Sequence, residues 1–527
     1  MKLAETVVGA VRRAGGDTLF GVPGGGPNLA MIGAAQAAGM RFVLTHTETA
    51  GAITAATYGL LRGAPAMAIA TRGPGAASAV NGAAQATLDR YPLLLVTDCV
   101  GRRERERVAH QRLDQTALLA PAAKWSGPIG DDALAPEAAA AAVALAGAAP
   151  RGAVHLDFDP SATSDVPPLP PAAAGTVAAS PEALAAAAAL LRSARRPVAV
   201  VGFDAVDDAA GVRLALERLG CPVLTTYQAI GVLPEGHPQL AGLYTGGAIE
   251  RPLLDAADLL LAVGLDTVEP IPTAWPDRPT IAVGAQPPAS TFVAVDVALD
   301  ASPAAGLRAL VERGDRAPVE WAPTAGADAL AAARAALAAG PATGFGPLEL
   351  VRAVAAAAPP DVTVTVDAGA HFLAVMPYWP VREPLGLLIS NGLATMGFAL
   401  PAAIGAGLAR PGRPVLCLTG DGGLGMTLAE LETLARLRLP VTVVVFDDAT
   451  LSLIRVKQRP GQGEAAAVRY EAMDFAAIAR AVGLEAAVAE RAGEVTRLLD
   501  GGWDRPRLID ARIDPAAYAH LITTTRG

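Results

Sequence analysis

The stretch LTGDGG at residues 418–423 decides how the last third of this 527-residue chain folds. It ends one apolar run, and a second apolar run at residues 441–446 leads into Asp448, 27 positions after Asp421. Between the two runs, leucines recur at helical spacing over residues 424–439. The pattern predicts a strand, one helix and a parallel strand, with an acidic side chain at the carboxyl tip of each strand.

The two acidic side chains are expected to lie close together. Neighbouring strands are about 5 Å apart, so both carboxylates can bind one hard cation. The glycines let the backbone approach a phosphate group closely. These features favour a corner that binds a Mg²⁺-bridged diphosphate. The alternative is that the aspartates only cap a helix and a turn, since short glycine motifs recur in many proteins. The spacing alone leaves both interpretations open.

The composition is that of a large, acidic protein without a membrane span. It is 52% hydrophobic, but much of this is alanine, and no run of about 20 strongly apolar residues occurs. The first residues lack an apolar signal region, and the net charge of −9 offers no basic field for nucleic acid. Cys99, Cys221 and Cys417 lie far apart, so we expect reduced thiols. We therefore expect a cytoplasmic protein that binds neither membrane nor nucleic acid.

Strand-like runs alternate with helical patterns along nearly the whole chain, which predicts parallel sheets. Interruptions at about 160–180 and 315–346, rich in proline or alanine, divide it into three segments. We predict three doubly wound parallel-sheet α/β domains, at residues 1–160, 181–315 and 345–527. The predicted strands are 18–22, 42–45, 66–71, 93–96, 197–201, 222–226, 259–263, 280–283, 292–297, 362–366, 414–418, 441–446 and 508–513.

Several motifs in the first and third segments occur together. They are FGVPGG at 20–25, Thr47-Glu48, RGPG at 72–75, NGLATMGFALP at 391–401, and the Gly-Asp-Gly stretch with Asp448. In this order and at this spacing they resemble the thiamine-diphosphate-dependent enzymes of the acetolactate synthase and 2-oxoacid decarboxylase group. The resemblance covers essentially the whole chain. It implies a pyrimidine-binding first domain, a structural central domain and a diphosphate-binding third domain.

The resemblance implies thiamine diphosphate and Mg²⁺ as cofactors, and an active site between two subunits of a homodimer or homotetramer. Asp421, Asp448 and the backbone carbonyl of Thr450 would bind Mg²⁺, with Gly420, Gly422 and Gly423 beside the diphosphate. Asp448 stands where the family more often has Asn. Its charge should strengthen the hold on Mg²⁺ and repel the diphosphate slightly, so we expect the site to survive.

Glu48 follows a predicted strand and opens a helix rich in small residues. Taken alone, it is a glutamate favoured by the helix dipole. By resemblance, it is the acid that bonds the cofactor's pyrimidine nitrogen and so activates the cofactor. Met396 stands where the family places an apolar wedge that bends the cofactor, although ordinary core packing is the alternative. The backbone at Ala394 and Met396 would bond the pyrimidine edge.

Four residues of the first segment are candidates for the reaction side of the cofactor. Gly25 resembles the backbone turn that faces the substrate, and Thr71 stands where some relatives carry a catalytic histidine in the pocket. His110 and Gln111 fall near the family's Phe-Gln pair, and a His110 that faces the cofactor could transfer protons. The alternative for this pair is a polar loop that follows the charged run at 102–107.

Residues 451–458 are predicted to form a helix that begins beside the metal. Leu453, Ile454 and Lys457 share one face of it, and the resemblance assigns that face to the substrate pocket. Ile454 stands where pyruvate-type decarboxylases hold an acid, which argues against plain aldehyde release. Lys457 replaces a tryptophan of acetolactate synthases. It either recognises an anion or is a solvent-facing charge.

The leading interpretation is a carbon–carbon lyase or ligase that acts on a 2-oxoacid, by decarboxylation, carboligation or both, with an aldehyde or oxoacid as partner. FAD is unlikely, because residues 263–270 lack the arginines that serve flavin in acetolactate synthases. The alternatives are a 2-hydroxyacyl-CoA or oxalyl-CoA lyase, a benzaldehyde lyase-like ligase and an inactive cofactor-binding relative. A NAD-dependent dehydrogenase is disfavoured, because no strand ends in a full Gly-x-Gly-x-x-Gly with an acid about 20 residues on.

Overall fold

Three six-stranded parallel sheets follow one another along the chain. They are seen in a computed structural model that describes residues 2–159, 161–164, 179–269, 275–285, 293–313, 318–341, 344–459, 461–462 and 467–527. Helices lie between the strands, so both faces of each sheet are covered and most strands are apolar throughout. Within these ranges, no helix is long and apolar enough to cross a membrane.

The first sheet has the strand order β2-β1-β3-β4-β6-β5. Its elements are α1 (Lys2–Arg13), β1 (Thr18–Gly21), α2 (Pro27–Ala37), β2 (Arg41–Leu44), α3 (Glu48–Arg62), β3 (Ala66–Ala70), α4 (Pro74–Leu88), β4 (Leu93–Asp98), α5 (Gln115–Leu119), β5 (Trp125–Ile129), α6 (Ala135–Gly147) and β6 (Ala153–Phe158). The N-cap of α3 is Thr47, whose hydroxyl accepts the Ala50 N–H at 3.1 Å. Glu48 is therefore the first helical residue, as predicted.

The second sheet has the order β12-β11-β10-β7-β8-β9. Its elements are α7 (Pro181–Ser193), β7 (Pro197–Val201), a 3₁₀ helix (Phe203–Asp208), α8 (Ala209–Leu219), β8 (Val223–Thr225), β9 (Leu240–Leu243), α9 (Arg251–Ala256), β10 (Leu259–Val263), β11 (Thr280–Gly284), β12 (Val297–Asp300), α10 (Pro303–Glu312) and α11 (Ala325–Ala338). With β7 counted as the first strand, this is the strand order of dinucleotide-binding sheets. The chain order reverses between β7 and β10, and this position is the switch point of the sheet.

The third sheet has the order β14-β13-β15-β16-β18-β17. Its elements are α12 (Pro347–Ala357), β13 (Thr363–Val366), α13 (Phe372–Tyr378), β14 (Leu387–Ile389), α14 (Ala399–Ala409), β15 (Val415–Gly420), α15 (Asp421–Thr427), α16 (Glu430–Leu437), β16 (Val441–Asp447), α17 (Ser452–Lys457), α18 (Phe475–Ala481), β17 (Glu485–Ala489), α19 (Ala492–Leu499), β18 (Arg507–Arg512) and α20 (Ala517–Arg526). Gly420 pairs with Phe446, so the carboxyl tips of β15 and β16 are neighbours, as predicted.

The predicted fold class is confirmed, and twelve of the thirteen predicted strands are found with small shifts at their ends. The strand predicted at 292–297 is wrong: residues 286–292 lie outside the described residues, and the strand runs over Val297–Asp300. Five strands escaped prediction because they are short or interrupted by alanine, glycine or polar residues. They are β5, β6, β9, β14 and β17.

The single helix predicted over residues 424–439 is also wrong. The chain forms α15 and α16 there, with a break at Leu428 and Ala429. The first of these helices contains several glycines, which are poor helix formers. The break still lets Leu424 and Leu431 pack in the same core cluster.

The three sheets pack into one body through specific contacts. Helix α3 lies against α14, and the Thr54 hydroxyl donates to the Pro401 carbonyl at 3.0 Å. Arg90 donates to both carboxylate oxygens of Asp266 in the central sheet, at 2.6 and 2.7 Å. Such a bidentate pair fixes relative orientation as well as contributing energy. Most of the first predicted linker, at 165–178, lies outside the described residues, and the domain boundaries stay predictions.

Candidate active site

A cavity of about 240 Å³ opens at the carboxyl ends of β13, β15 and β16. We call its lining the C-terminal half-site. The lining residues are Ala368, Gly369, Ala370, His371, Ala394, Met396, Gly420, Asp421, Gly422, Gly423, Phe446, Asp448, Thr450, Leu451, Ser452, Leu453, Ile454 and Tyr518. The structure thus brings together every residue that the sequence assigned to the diphosphate, the metal and the wedge. Of the three predicted pocket residues on α17, it brings in Leu453 and Ile454.

The two acidic side chains of this half-site share hydrogen bonds with the turns around them. The Asp421 carboxylate accepts the Gly422 N–H at 2.7 Å and the Asp448 N–H at 3.2 Å. Asp448 accepts the Ser452 hydroxyl at 2.7 Å on one oxygen. Its other oxygen, Oδ1, is buried and has no partner among the described residues. A buried carboxylate oxygen without a donor favours a cation beside it.

The pKa values of both acids are raised, which shows that the site disfavours two negative charges without a cation. Burial raises the pKa of Asp448 to about 7, with Asp421 raising it further and the Ser452 hydroxyl opposing the change. Burial also raises the pKa of Asp421 to about 6, and the hydroxyl of Tyr470 lowers it by hydrogen bonding. Two carboxylates in so little water are stabilised by a divalent cation, which would lower both pKa values.

His371 is a site residue that the sequence analysis missed. It lies between β13 and α13, is 2% exposed, and stacks on Phe446 with ring centroids 5.2 Å apart. Burial lowers its pKa to about 4, so the ring is neutral at pH 7. Its Nε2 atom is buried without a partner among the described residues, in the wall of the cavity. The sequence signal that could have identified His371 is its place directly after the small residues Gly369 and Ala370, which follow β13.

The residues of this half-site fit a metal-bound diphosphate. Asp448 Oδ1 and His371 Nε2 are both buried without a partner among the described residues. The first is an acceptor, and the second becomes a donor when the ring is protonated, because the other ring nitrogen already donates to the Asp367 carbonyl. The structure shows no cluster of three His, Cys, Asp or Glu side chains for a metal in the part of the chain it describes. Two carboxylates and a backbone carbonyl suit Mg²⁺, which completes its shell with phosphate oxygens and water.

Two residues of the half-site have left-handed backbone conformations without being glycine. Ala394 has φ 53° and Ala449, between Asp448 and Thr450, has φ 50°. This conformation costs an alanine roughly 1–2 kcal/mol. Strain of this kind is common where backbone groups are aimed at a ligand. Met396 lies beside them, and its Cε would be 3.2 Å from a Cβ on Gly422.

A second group of predicted residues meets at the carboxyl edge of the first sheet, and we call it the N-terminal half-site. It comprises Gly24, Gly25, Glu48, Thr71, Gly73, Gly75 and Gln111. A Cβ on Gly24 would lie 2.2 Å from the Thr71 hydroxyl, and one on Gly75 would lie 3.0 Å from Glu48 Oε1. A Cβ on Gly73 would lie 3.0 Å from Gln111 Cβ. Glycine is therefore required for this close packing.

Buried polar side chains form hydrogen bonds with the backbone of the N-terminal half-site. Gln115 accepts the Gly73 N–H at 2.7 Å and donates to the Asp157 carboxylate at 2.8 Å. Asp98 accepts the Arg72 N–H at 3.0 Å and the Asn28 side chain at 2.6 Å. These hydrogen bonds fix the loop that carries Thr71, although the Asn28 Oδ1 atom has no partner among the described residues.

Some predicted residues are not brought into the cavity. Glu48, Gly25, Thr71 and Gln111 belong to the N-terminal half-site and do not line it. His110 and Lys457 are exposed and do not line it either. Within one chain, the two half-sites therefore do not line one described cavity, and the roles of all these residues stay predictions.

The switch point of the central sheet is filled by a side chain of the chain itself. The Glu269 carboxylate, 4% exposed, accepts the Phe203 N–H at 3.0 Å and the Asp266 N–H at 2.8 Å, and the Thr226 hydroxyl donates to it as well. A Cβ on Gly202 would lie 2.5 Å from Glu269 Oε2. In sheets of this order, that crevice holds the pyrophosphate of a dinucleotide. Among the described residues, the Glu269 carboxylate occupies that place, and the absence of FAD stays a prediction.

Three family models match the chain in succession. They describe the thiamine pyrophosphate enzyme N-terminal TPP binding domain at residues 1–118, the central domain at 184–310 and the C-terminal TPP binding domain at 367–511. The chain is 29% identical to acetolactate synthase of Bacillus subtilis strain 168, over 97% of this chain and 93% of that protein. It is 30% identical to the large subunit of acetolactate synthase isozyme 1 of Escherichia coli K12, over 97% and 94%.

Proposed function

The chain belongs to the thiamine pyrophosphate-dependent enzymes, among the relatives of acetolactate synthase, and from that premise we propose that it is a Mg²⁺-dependent carbon–carbon lyase or ligase acting on a 2-oxoacid. One observation carries the proposal. The C-terminal half-site holds an unpartnered carboxylate oxygen on Asp448 and an unpartnered imidazole nitrogen on His371 in the wall of one cavity. Mg²⁺ would satisfy the carboxylate oxygen, and a diphosphate would accept from the imidazole nitrogen, since its negative charge favours the protonated ring.

Residues of the C-terminal half-site would bind and orient the cofactor. Asp421, Asp448 and the Thr450 carbonyl would bind Mg²⁺, and Gly420, Gly422 and Gly423 leave room for phosphate oxygens. The strained Ala394 would present its backbone to the pyrimidine edge, and Met396 would support the bend. When bound, thiamine diphosphate would supply a nucleophilic carbon for addition to the carbonyl of a 2-oxoacid, and an electron sink for the electron pair released as CO₂ leaves.

Glu48 would hold the proton that activates the pyrimidine. Its position at the first turn of α3, beside Gly75 and Thr71, leaves the carboxylate at the carboxyl edge of the first sheet. An acid held there by a capped helix has little freedom to turn away, which favours catalysis by orientation.

The complete site would form between two copies of the chain. Within one chain, Glu48 does not line the cavity of the C-terminal half-site. Of the eight large apolar side chains exposed on the described residues, six lie on the segments that form the two half-sites. These six are Leu29, Leu44, Leu113, Met426, Ile454 and Tyr470. Apolar groups exposed around an incomplete site favour a covering partner, and a second copy supplies the missing half-site.

The side chains around the reaction centre favour carboligation over simple release of an aldehyde. Leu453 and Ile454 line the cavity from α17, and neither can donate a proton. Filling of the central crevice by Glu269 favours an enzyme that works without FAD. Arg455 and Lys457 are exposed on the same helix, which keeps a CoA thioester lyase as the second candidate.

The test is a substrate panel with the holoenzyme, in thiamine diphosphate and Mg²⁺. Release of CO₂ and formation of a 2-hydroxy ketone or 2-hydroxy-3-oxoacid product from a 2-oxoacid are expected, and both should stop when Mg²⁺ is chelated. Cleavage of a 2-hydroxyacyl-CoA or oxalyl-CoA, with no CO₂ from any free 2-oxoacid, would favour the second candidate instead.

A further inference from the structure

A buried carboxylate of the third domain holds the loop that carries Glu48 in the first. Glu430, the first residue of α16, is 1% exposed. Its Oε1 accepts the backbone N–H groups of His46 at 2.9 Å and of Thr47 at 3.2 Å. Its Oε2 accepts the Thr433 hydroxyl at 2.7 Å. The carboxylate therefore spans two domains at a point two residues before Glu48.

The same helix makes two weaker contacts with this loop. Arg436 donates to the Leu44 carbonyl at 2.8 Å, and the His46 ring lies 2.8 Å from an oxygen of the exposed Glu432. Both contacts involve exposed side chains, so they contribute little to holding the backbone. The two backbone bonds to Glu430 differ, because they end on a buried carboxylate.

A carboxylate in this position is costly unless it performs a structural task. Burial raises the pKa of Glu430, and its hydrogen bonds to Thr433, His46 and Thr47 lower it. A leucine would fill the space but would leave the His46 and Thr47 N–H groups without an acceptor. The carboxylate thus fixes the backbone where the chain turns from β2 into α3.

We propose that Glu430 is a positioning residue that sets the place of the Glu48 carboxylate relative to the cofactor. The inference rests on the proposed function. Glu430 and Glu48 belong to the same chain, so the clamp places Glu48 before a second copy brings the diphosphate turn that Glu48 would face. A displacement of about 1 Å in an acid of this kind is enough to reduce rates up to 100-fold.

The test compares Glu430→Ala and Glu430→Gln with the matched control Glu432→Ala. Glu432 lies on the same helix and touches the same loop, but through the His46 side chain only. For each holoenzyme we would measure the rate at which the C2 proton of bound thiamine diphosphate exchanges with deuterium. We would also measure kcat and KM for the substrate, and the Kd of thiamine diphosphate in the presence of Mg²⁺.

Glu430→Ala is expected to lower the exchange rate and kcat together by about 10- to 100-fold, with KM and cofactor Kd within about twofold of the parent. Glu430→Gln, whose amide oxygen still accepts, should recover most of the loss. Glu432→Ala should stay within about twofold. An exchange rate for Glu430→Ala within twofold of the parent would overturn the inference. If Glu430→Ala does not fold, Glu430→Gln alone decides. The positioning role would be overturned if Glu430→Gln exchanged the proton faster than the parent, or if its exchange rate fell only in proportion to the amount of cofactor bound.

A Glu48→Gln variant separates this inference from the proposed function. If Glu48→Gln exchanges the C2 proton at the parent's rate, the role proposed for Glu48 fails. If Glu48→Gln loses exchange while Glu430→Ala keeps it, only the positioning role fails.

Discussion

Replacing Asp448 with Asn removes a negative charge from the C-terminal half-site and keeps its shape. The Asn side chain can still accept the Ser452 hydroxyl, as the carboxylate does at 2.7 Å. The substitution also ends the repulsion between Asp448 and Asp421. In protein freed of divalent cations, we expect Asp448→Asn to stabilise the fold at pH 8.

The magnitude follows from the pKa of Asp448, which is about 7 in the fold against an ordinary 3.8. Between these values the folded state binds a proton that the unfolded state has released, so the stability linked to it is complete below pH 4 and lost as the pH rises through 7. Converting the whole pKa difference into free energy, at 1.36 kcal/mol per pKa unit, gives a destabilisation of about 4 kcal/mol. Because the group is only partly shielded from water, we expect about 2 kcal/mol. For a chain of this length that is about 2 °C in Tm.

The assay is thermal unfolding in EDTA at pH 5 and pH 8, with the exposed Asp500→Asn as the control. Asp448→Asn should unfold about 2 °C above the parent at pH 8 and by less than half of that at pH 5. Adding Mg²⁺ with thiamine diphosphate should raise the Tm of the parent more than that of the variant. A variant no more stable than the parent at pH 8, or equally stabilised at both pH values, would refute the reasoning.

Three further outcomes follow from the sites. His371→Ala should weaken thiamine diphosphate binding by about tenfold in calorimetric titration, because the imidazole that would donate to the diphosphate in its protonated form is lost; an unchanged Kd would remove His371 from the site. Met396→Ala should lower kcat with little change in cofactor Kd, since it removes support for the bend and no polar contact; a change confined to Kd would contradict this. Titrating the holoenzyme with FAD should change neither flavin fluorescence nor turnover, because Glu269 fills the crevice; saturable quenching would contradict that.

The third sheet shows how far the sequence alone could reach. Asp421 and Asp448 each end a continuous apolar run, and apolar runs predict buried parallel strands well. Their close approach followed from strand adjacency, which the register of β15 and β16 bears out. The break between α15 and α16 was not predictable from leucine spacing, because that spacing is the same whether one helix or two carry the leucines.

The remaining features depend on contacts between distant parts of the chain. Strand β6 carries His155 and Asp157, which are buried only because Ser126, Thr97 and Gln115 satisfy them. Glu430 lies on an amphipathic helix, and nothing in the sequence places the His46 and Thr47 backbone against it. Glu269 looked like part of a loop that lacks flavin ligands, whereas it fills the crevice itself.

The account rests most heavily on an active site shared between two copies, with Glu48 from one and Asp421 from the other. The direct measurement mixes two inactive variants, Glu48→Gln and Asp421→Asn, in equal amounts under conditions that exchange subunits. Random dimers of these chains would contain one intact site in every mixed pair, so about a quarter of the parent's activity should return. If both residues serve one site within a single chain, no intact site can form. Activity that stays at the level of the separate variants, with exchange confirmed, would contradict the account.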